Sequence, residues 1–477
     1  MPDRIVVIDD DQMSLKVAKR VFDKAGIEGV YLGAGQEAFA HLAGAPVPGS
    51  YLKMSLPVVA GMVISLIYNL VDIYFISLTG KTELIAGASL CTPVFTMLIA
   101  LGDIFGLGGS SAVSRLLGGQ KREHARQMSA LSAWSALSCG LVTGLVLLLA
   151  KEPLLRLLGA DEGTLVHASA YLGWICAAAP FVVFCFVPVN ILRSEGKVRE
   201  VFIGSVLGSV SNIILDPLMI FGLKLGAGGA ALATFLAYLI KTLYFVWMMT
   251  HKAEIVVLQP SYLRLSSADL FEILRIGVPA CVTNLAQSLA VMLTNRALTS
   301  YGSKSIAGYG IASKVLMVAT MVLMGFAYGG QPIIGYSHGS NNRKRLREII
   351  RFAFLFEICL ALAFTALLFF GAPVFLRIMS ASEDVLARGT QALRYMSSSL
   401  VFMVICLVSS CIFQSVGQAG GAFAISISRQ GVIFAILLYV FSSAFGLCGI
   451  LLAQPAADVL TAVLSLILLR KCVMSFG

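Results

Sequence analysis

Charged residues are scarce in this chain of 477 residues, and their scarcity excludes whole classes of protein. Only 13% of the residues are Asp, Glu, Lys or Arg, whereas 58% are hydrophobic, and the mean hydropathy is +0.88. These values lie far outside the range of soluble globular domains and of disordered chains. The composition is typical of a protein that crosses a membrane several times.

The usual signatures of catalysis, metal binding and nucleotide binding are also missing. The sequence has no HExxH or GxSxG motif, and its basic, glycine-containing loops do not match GxxxxGK[ST] or GxGxxG. The ten cysteines and five histidines show no metal-ligand spacing, so we interpret the cysteines as small packing residues. We therefore expect a protein that is not an enzyme, has no cofactor, and binds no metal beyond a sodium ion at a coupling site.

Apolar segments near the length that crosses hydrocarbon, about 20 residues, recur along the chain. They predict an all-α membrane protein with twelve transmembrane helices at 54–78, 84–108, 127–150, 167–191, 200–222, 227–249, 272–297, 305–335, 349–371, 391–416, 422–443 and 446–469. The charged N-terminus has no apolar signal-peptide core.

Basic residues determine the predicted orientation. They are concentrated in the loops after the even-numbered spans and at the C-terminus, which places both termini in the cytoplasm by the positive-inside rule. The predicted location is the cytoplasmic (inner) membrane. We attribute the net charge of +10 to this topology and to attraction for anionic lipid, not to nucleic-acid binding.

The two halves of the chain resemble each other at a shift of about 221 residues. The matched positions include the pairs Gly87 and Gly308, Gly118 and Gly339, Arg122 and Arg343, Arg126 and Arg347, and Ser194 and Ser415. Each half contains six predicted spans, so both copies enter the membrane with the same orientation. Such copies are related by a pseudo-two-fold axis along the membrane normal, with the transport path between them.

This repeat predicts the domain organisation. Residues 50–249 form an N-terminal six-helix lobe, residues 250–271 a polar cytoplasmic linker, and residues 272–471 a C-terminal six-helix lobe. Residues 1–46 lie outside this plan as a short α/β-like appendage.

Two carboxylates lie inside apolar spans, Asp72 in the first and Asp216 in the fifth. An acid at membrane depth is costly and is usually kept for ion, proton or substrate handling. Asn212 precedes Asp216 by one helical turn and shares its face. Asp72, Asp216 and Thr234 each lie roughly 9 Å below the outer interface at 1.5 Å per residue. We expect a hydrated pocket at this level, although for Thr234 alone a contact between helices is the favoured explanation.

In the motifs that contain these residues, and over about residues 50 to 470, the chain resembles the multidrug and toxic compound extrusion (MATE) family of secondary antiporters. The resemblance rests on NLVD in the first span, GGSSAVSRLLGGQKREHA, NILRSEGK, NIILDPLMIFGLKLGAGGAALAT and QPIIGYSHGSNNRKR. In some members an acidic cluster in the N-terminal lobe binds the coupling cation. The resemblance carries that cluster to Asp72, Asn212, Asp216, Thr234 and Asn190, although Asn190 falls near the cytoplasmic end of its span.

The resemblance also implies a hinge and a substrate cavity. The hinge falls on Pro57, where a proline removes a backbone donor and lets a helix bend; the alternative is an ordinary proline in a first helical turn. The predicted cavity residues are Tyr68, Asn69, Phe75, Asn284 and Gln287.

The C-terminal lobe departs from some relatives that carry further acids on spans 7 and 10, because here span 7 offers Asn284 and Gln287 and span 10 has no acid. Coupling is therefore expected to run through the first lobe alone. We expect Glu357 and Asp458 to make contacts between helices, and Lys241 to extend its amine from a span end toward the headgroups.

The first 46 residues resemble the start of a bacterial response-regulator receiver domain. A strand, an acidic turn with Asp9 and Asp10, a helix and a second strand follow one another, and the match stops at Pro46. A segment of this length is too short to bury a core of its own. We favour a fragment without function over a working phosphoryl sensor.

Together these features predict an antiporter that binds protons or sodium ions and exports amphiphilic, often cationic, compounds by alternating access. The expected partners are such small molecules and membrane lipid, and the protein is expected to be a monomer. The alternative is a flippase for lipid-linked oligosaccharides with a related fold.

Overall fold

A computed structural model describes residues 5–9, 29–33, 45–80, 82–263, 266–379 and 383–474. Long helices dominate it. The helices are α1 Val47–Leu78, α2 Thr82–Gly118, α3 Arg122–Leu149, α4 Lys151–Leu157, α5 Glu162–Ser194, α6 Val198–Pro217, α7 Gly226–His251, α8 Ser267–Leu298, α9 Ser303–Gly339, α10 Arg343–Met379, α11 Glu383–Ser398, α12 Leu400–Ser415, α13 Ala419–Ile427 and α14 Ile433–Met474. Wider π turns at Leu218–Gly222 and Ser428–Val432 follow α6 and α13.

Two strands precede the helices, β1 Ile5–Asp9 and β2 Gly29–Gly33. They pair in parallel, with Ile5 opposite Gly29 and Asp9 opposite Gly33. The predicted helix between them and Asp10 lie outside the described residues. The likeness of this segment to a receiver domain therefore stays a prediction.

The helix ends follow local sequence signals. Asp161 caps α5, since its side chain accepts from the Thr164 amide at 2.8 Å while the Thr164 hydroxyl accepts from the Asp161 amide. Gly196 and Gly417 follow α5 and α12 with φ angles of 87° and 82°, which glycine adopts without steric cost. These two glycines stand at equivalent positions of the predicted repeat.

The prediction that the chain crosses the membrane many times is confirmed. Within the described residues, ten helices are long and apolar enough to span a membrane, and an eleventh results when α11 and α12 count as one span. The predicted tenth span is not straight, because the chain bends by 45° between Ser398 and Leu400. Predicted spans 11 and 12 fall together in the single apolar stretch Ala419–Cys472.

That last stretch folds back on itself. Gly446 interrupts α14 with φ 57° and ψ −130°. The backbone of Gly449 then lies so close to the Phe441 carbonyl that a Cβ there would overlap it. Eight residues of continuous helix would separate these positions by about 12 Å. The helix before Gly446 and the helix after it are therefore neighbours.

Each half of the chain has its own apolar core. In the first half α5 lies centrally against α2, α3 and α7, and its Leu172, Ile175 and Val183 are fully buried. In the second half α12 packs against α9, α10 and α14.

The two halves approach each other most closely through glycines. Gly277 of α8 lies against the Ile104 carbonyl of α2, and Gly108 of α2 lies against the Ile273 carbonyl. Gly325 of α9 contacts Val59 of α1 in the same way. Small residues allow this close approach of helix backbones inside a membrane. These contacts lie in the half of the bundle that the sequence predicts to face the cytoplasm, called the inner end below.

Candidate functional site

A fully buried acid, Asp216, lies at the end of α6 in the first half. Asn212, one turn earlier, is 2% exposed. Asn212 Nδ2 donates to Asp216 Oδ1 over a long 3.4 Å. Pro217 and the π turn at Leu218–Gly222 follow directly, and such wide turns interrupt helices most often at functional positions. The same-face prediction for Asn212 and Asp216 is therefore confirmed.

Three buried oxygens around this acid lack a hydrogen-bond donor. They are Asp72 Oδ1, Asp216 Oδ2 and Asn212 Oδ1, each without a partner in the described part of the chain. The carboxyl groups of Asp72 and Asp216 lie within hydrogen-bonding reach of each other, although neither can donate while both are ionised. A buried acceptor left unpaired costs about 1–3 kcal/mol. A proton shared by the pair, or a small cation among the oxygens, would satisfy this set chemically.

Tyrosines of three helices lie at this level. Tyr68 lies one turn before Asp72 on α1, and its hydroxyl lies close to that of Tyr238 on α7. Tyr171 of α5 also lies close to both carboxylates. The sequence predicted only Tyr68. A usable signal existed for Tyr238, which stands one helical turn after Thr234 and shares its face.

A cavity of about 240 Å³ extends from this level toward the inner end of the first half. Aromatic and aliphatic side chains form most of its wall, and Thr234, Asn212 and Ser209 supply polar groups. The Thr234 hydroxyl donates to the Ala230 carbonyl at 3.1 Å and keeps its oxygen lone pairs for another partner. Three residues predicted for the cavity or hinge line it, namely Pro57, Tyr68 and Asn69. Pro57 lies well inside α1, so it is not a first-turn proline.

Other predicted residues lie elsewhere. Phe75 packs edge-on against Phe221, with ring centroids 6.5 Å apart, and is not among the residues lining the cavity. Asn190 donates to the Phe186 carbonyl at 2.9 Å, near the inner end of α5 and away from the acids. Gln287 is exposed on α8.

Asn284 belongs to a second, smaller cavity of about 60 Å³ between α2 and the second half. Its Nδ2 donates to Asp103 Oδ2 at 2.8 Å. Asp103, a third acid inside the apolar spans of the first half, was not among the residues predicted from the sequence. Its signal was the same as for Asp72 and Asp216, a carboxylate within a hydrophobic run.

The MatE family model matches this chain twice. The matched stretches are residues 57–218 and 279–440, which begin 222 residues apart. The chain belongs to the MatE family.

The relatives of this MatE chain include multidrug exporters. It is 31% identical over 422 residues to the multidrug export protein MepA of Staphylococcus saprophyticus, covering 87% of this chain and 92% of that protein. It is 30% identical to MepA of Staphylococcus haemolyticus, covering 87% and 91%. These relatives confirm the predicted class, a multi-pass membrane transporter that is not an enzyme.

Solved MATE structures share the fold. One is a MATE in complex with MaL6, with a TM-score of 0.87, 26% identity, and coverage of 91% of this chain and 98% of that one. Another is an outward-facing MATE family multidrug resistance transporter, with a TM-score of 0.86, 27% identity and the same coverage. The prediction of a MATE fold is thereby confirmed.

The remaining membrane acids of this MatE chain divide into two kinds. Asp458 accepts from Arg429 Nε at 2.8 Å and from Ser399 Oγ at 2.8 Å, so it makes the predicted contact between helices. Glu357 differs, because it is fully buried and neither carboxylate oxygen has a partner among the described residues. Glu357 therefore packs between helices without a hydrogen bond to its carboxylate in the described part of the chain.

Polar contacts join the two halves at the inner end. Arg115 Nη2 forms an ion pair with Glu272 Oε1 at 2.5 Å and also donates from Nη1 to the Ser415 carbonyl. His124 Nε2 lies 3.0 Å from Asp269 Oδ1. Together with the glycine contacts, they close the inner end of the MatE chain.

Removing one of these charges should loosen that closure slightly. The Glu272 side chain is 43% exposed, so its ion pair is worth only about 0.5–1 kcal/mol. We expect Glu272→Gln to speed hydrogen–deuterium exchange of residues 336–342 about two- to fivefold, measured by mass spectrometry. Exchange at the wild-type rate would show that the pair does not hold the inner end closed.

The NILRSEGK motif has a structural role in this MatE chain. Glu195 and Lys197 are 0% and 2% exposed, with Oε1 and Nζ 3.6 Å apart. Glu195 accepts from the Glu254 amide at 2.7 Å, and Lys197 donates to the Lys252 carbonyl. Burial raises the pKa of Glu195, while Lys197 and nearby backbone amides act in the opposite direction. The pair fixes the start of the linker to the bundle.

Breaking this pair should destabilise the protein strongly. In Glu195→Gln the Lys197 ammonium stays buried without a counter-charge, which costs about 3–5 kcal/mol. We expect a lower Tm in detergent and faster amide exchange at residues 252–256. Glu162→Gln is the control, because that side chain is 85% exposed in its pair with Arg156. Equal Tm values for the two variants would contradict this role.

Proposed function

We propose that the chain exports amphiphilic organic compounds from the cell in exchange for protons or sodium ions. The observation that carries this proposal is the set of buried, donor-free oxygens on Asp72, Asp216 and Asn212, next to an aromatic cavity. Buried oxygens that can only accept, and that have no donor, favour a proton or a cation. The multidrug export activity named for the MepA relatives supports the substrate class.

Coupling follows from the charge of the acid pair. Two neighbouring ionised carboxylates repel each other and attract a cationic substrate; a bound proton or sodium ion removes both effects. Ion and substrate therefore bind different states of the same site, and each weakens the other. In this proposal Asp72 and Asp216 bind the ion, and Asn212 and Thr234 provide neutral oxygens.

The architecture proposed for this mechanism is two lobes of six spans, 50–249 and 272–471, joined by the linker 250–271. The reversal at Gly446 supports counting the stretch Ala419–Cys472 as two spans, which brings the total to twelve. The double match of the family model supports a pseudo-two-fold relation. Cytoplasmic termini remain part of the proposal, as do a monomeric state and location in the cytoplasmic membrane.

The proposed hinge is Pro57. It removes the amide that would bond the carbonyl one turn earlier, and it lines the cavity beside α6 and α7. Bending of α1 at this point would move Asp72 relative to Asp216. We assign Asn190 a supporting position, since Arg193 Nη1 contacts its oxygen at 3.4 Å.

Transport from proteoliposomes tests the proposed function. Ethidium is loaded inside vesicles containing purified protein, and either a pH gradient or a sodium gradient is imposed. We expect one of the two gradients to drive export against the ethidium gradient. Export that proceeds equally with neither gradient would refute coupled antiport.

A further inference from the structure

Two positive charges line the inner end of the first cavity. Lys241 lies on α7, one helical turn after Ala237, and Arg193 lies in the last turn of α5. The sequence led us to expect that Lys241 reaches the headgroups. Instead, its side chain crosses over Gly208 of α6 and faces the interior. This expectation is wrong, because α6 and α7 pack closely enough at Gly208 to enclose the Lys241 side chain.

Neither charge is neutralised by the residues that the structure describes. Lys241 has no hydrogen bond or ion pair there, and its ammonium lies 5.7 Å from the centre of the Tyr238 ring. Arg193 Nε is buried without an acceptor, and its only hydrogen bond is the 3.4 Å contact to Asn190. Asp103 attracts Arg193 but forms no ion pair with it, and the Cys185 thiol is the other titratable neighbour of Lys241.

The charges are close enough to repel each other across the cavity. Two unpaired cations in a low-dielectric space are costly unless an anion joins them. The cavity wall itself contributes no carboxylate. Its inner end is therefore complementary to a negatively charged group.

The acid pair lies beyond the opposite end of the cavity. Lys241 packs beside Gly208, and Asp216 follows Gly208 by eight residues on α6. At 1.5 Å per residue, the Lys241 side chain and the acid pair lie about 12 Å apart along the axis of α6. Asn212 lies between them and lines the cavity. The cavity thus has a cationic inner end, and the acid pair lies just beyond its outer end.

We propose that Lys241 and Arg193 form an anion subsite, which binds the carboxylate of zwitterionic amphiphiles. The cationic group of such a molecule lies toward Asp72 and Asp216, about 12 Å away, and its aromatic body lies against Tyr68 and Tyr238. The inference rests on the proposed export function and adds a preference for carboxylate-bearing substrates over purely cationic ones. A substrate carboxylate supplies the charge-assisted hydrogen bonds that Lys241 lacks.

A matched pair of substrates tests the subsite. Norfloxacin carries a carboxylate and an amine, whereas its methyl ester has nearly the same shape and keeps only the amine. We expect wild-type protein in liposomes to transport norfloxacin in preference to the ester. Lys241→Met should lower the ratio of the two transport rates at least about tenfold, the loss of one hydrogen bond to a charged group. Lys241→Arg should keep the ratio, as should Lys224→Met in an exposed loop.

The outcomes separate this inference from the proposed function. An unchanged ratio in Lys241→Met overturns the subsite, even when gradient-driven ethidium export is intact. If Lys241→Met does not yield folded protein, the ratio in Lys241→Gln decides in the same way. Failure of the wild-type protein to export ethidium under either gradient refutes the proposed function itself.

Discussion

Asp72→Asn is expected to abolish gradient-driven efflux while the protein still folds and reaches the membrane. The change removes the charge and leaves a side chain of the same shape, so packing around α1 is preserved. The new amide can donate to Asp216, whose Oδ2 lacks a partner among the described residues. The Asp72→Asn variant therefore stays in a state that resembles the ion-bound protein.

The size of the effect follows from the coupling. A pair that cannot lose its ion cannot exchange it for substrate, and coupling energies of 1–3 kcal/mol correspond to changes of about 5- to 150-fold. We expect ethidium efflux to fall about 100-fold. The measurement is fluorescence of ethidium in cells or vesicles, normalised to the amount of protein in the membrane.

A matched acid controls for charge loss in general. Asp384 lies at an exposed position and pairs with Lys304, and its side chain is 62% exposed. Asp384→Asn should export ethidium at the wild-type rate. Wild-type efflux by Asp72→Asn would remove Asp72 from the coupling site.

Gly277→Val should disrupt closure of the inner end more severely than loss of any ion pair there. A Cβ at Gly277 would overlap the Ile104 carbonyl, which is backbone and cannot rotate away. Overpacking of this kind typically costs 1–3 kcal/mol, and here it falls on the contact between the two halves. The helices α2 and α8 must separate to accept the side chain.

Transport and exchange should both report this separation. We expect Gly277→Val to lower ethidium efflux about tenfold or more and to speed amide exchange around residues 104–115 and 273–277. Gly310→Val is the control, because no atom lies within 4 Å of a Cβ at that glycine. The same loss of transport in both variants would mean that valine in a membrane helix, and not the lobe contact, is responsible.

The sequence predicted the features that depend on local pattern. Apolar runs located the helices, and a carboxylate inside such a run marked Asp72 and Asp216. Identical residues at one shift revealed the repeat, and one such pair, Gly196 and Gly417, ends a helix with the same backbone conformation. These properties are visible without knowing which helices touch.

The features that it missed depend on contacts between distant segments. Tyr171 and Lys241 look like ordinary residues of apolar spans. Only the packing of α5, α6 and α7 brings Tyr171 to the acid pair and Lys241 to the cavity. Phe75 is predicted to line the cavity together with Tyr68, yet it packs against Phe221. The reversal at Gly446, by contrast, falls at the predicted boundary between spans 11 and 12.

Ion release on substrate binding tests the coupling role of Asp72 and Asp216 most directly. Ethidium is added to purified protein in weakly buffered detergent solution, and proton release is followed with a pH indicator; release of radioactive sodium is followed in parallel. We expect wild-type protein to release one of these ions when ethidium binds, and Asp72→Asn to bind ethidium without releasing either. Equal release from both proteins, or binding to the wild type without any release, would contradict this role.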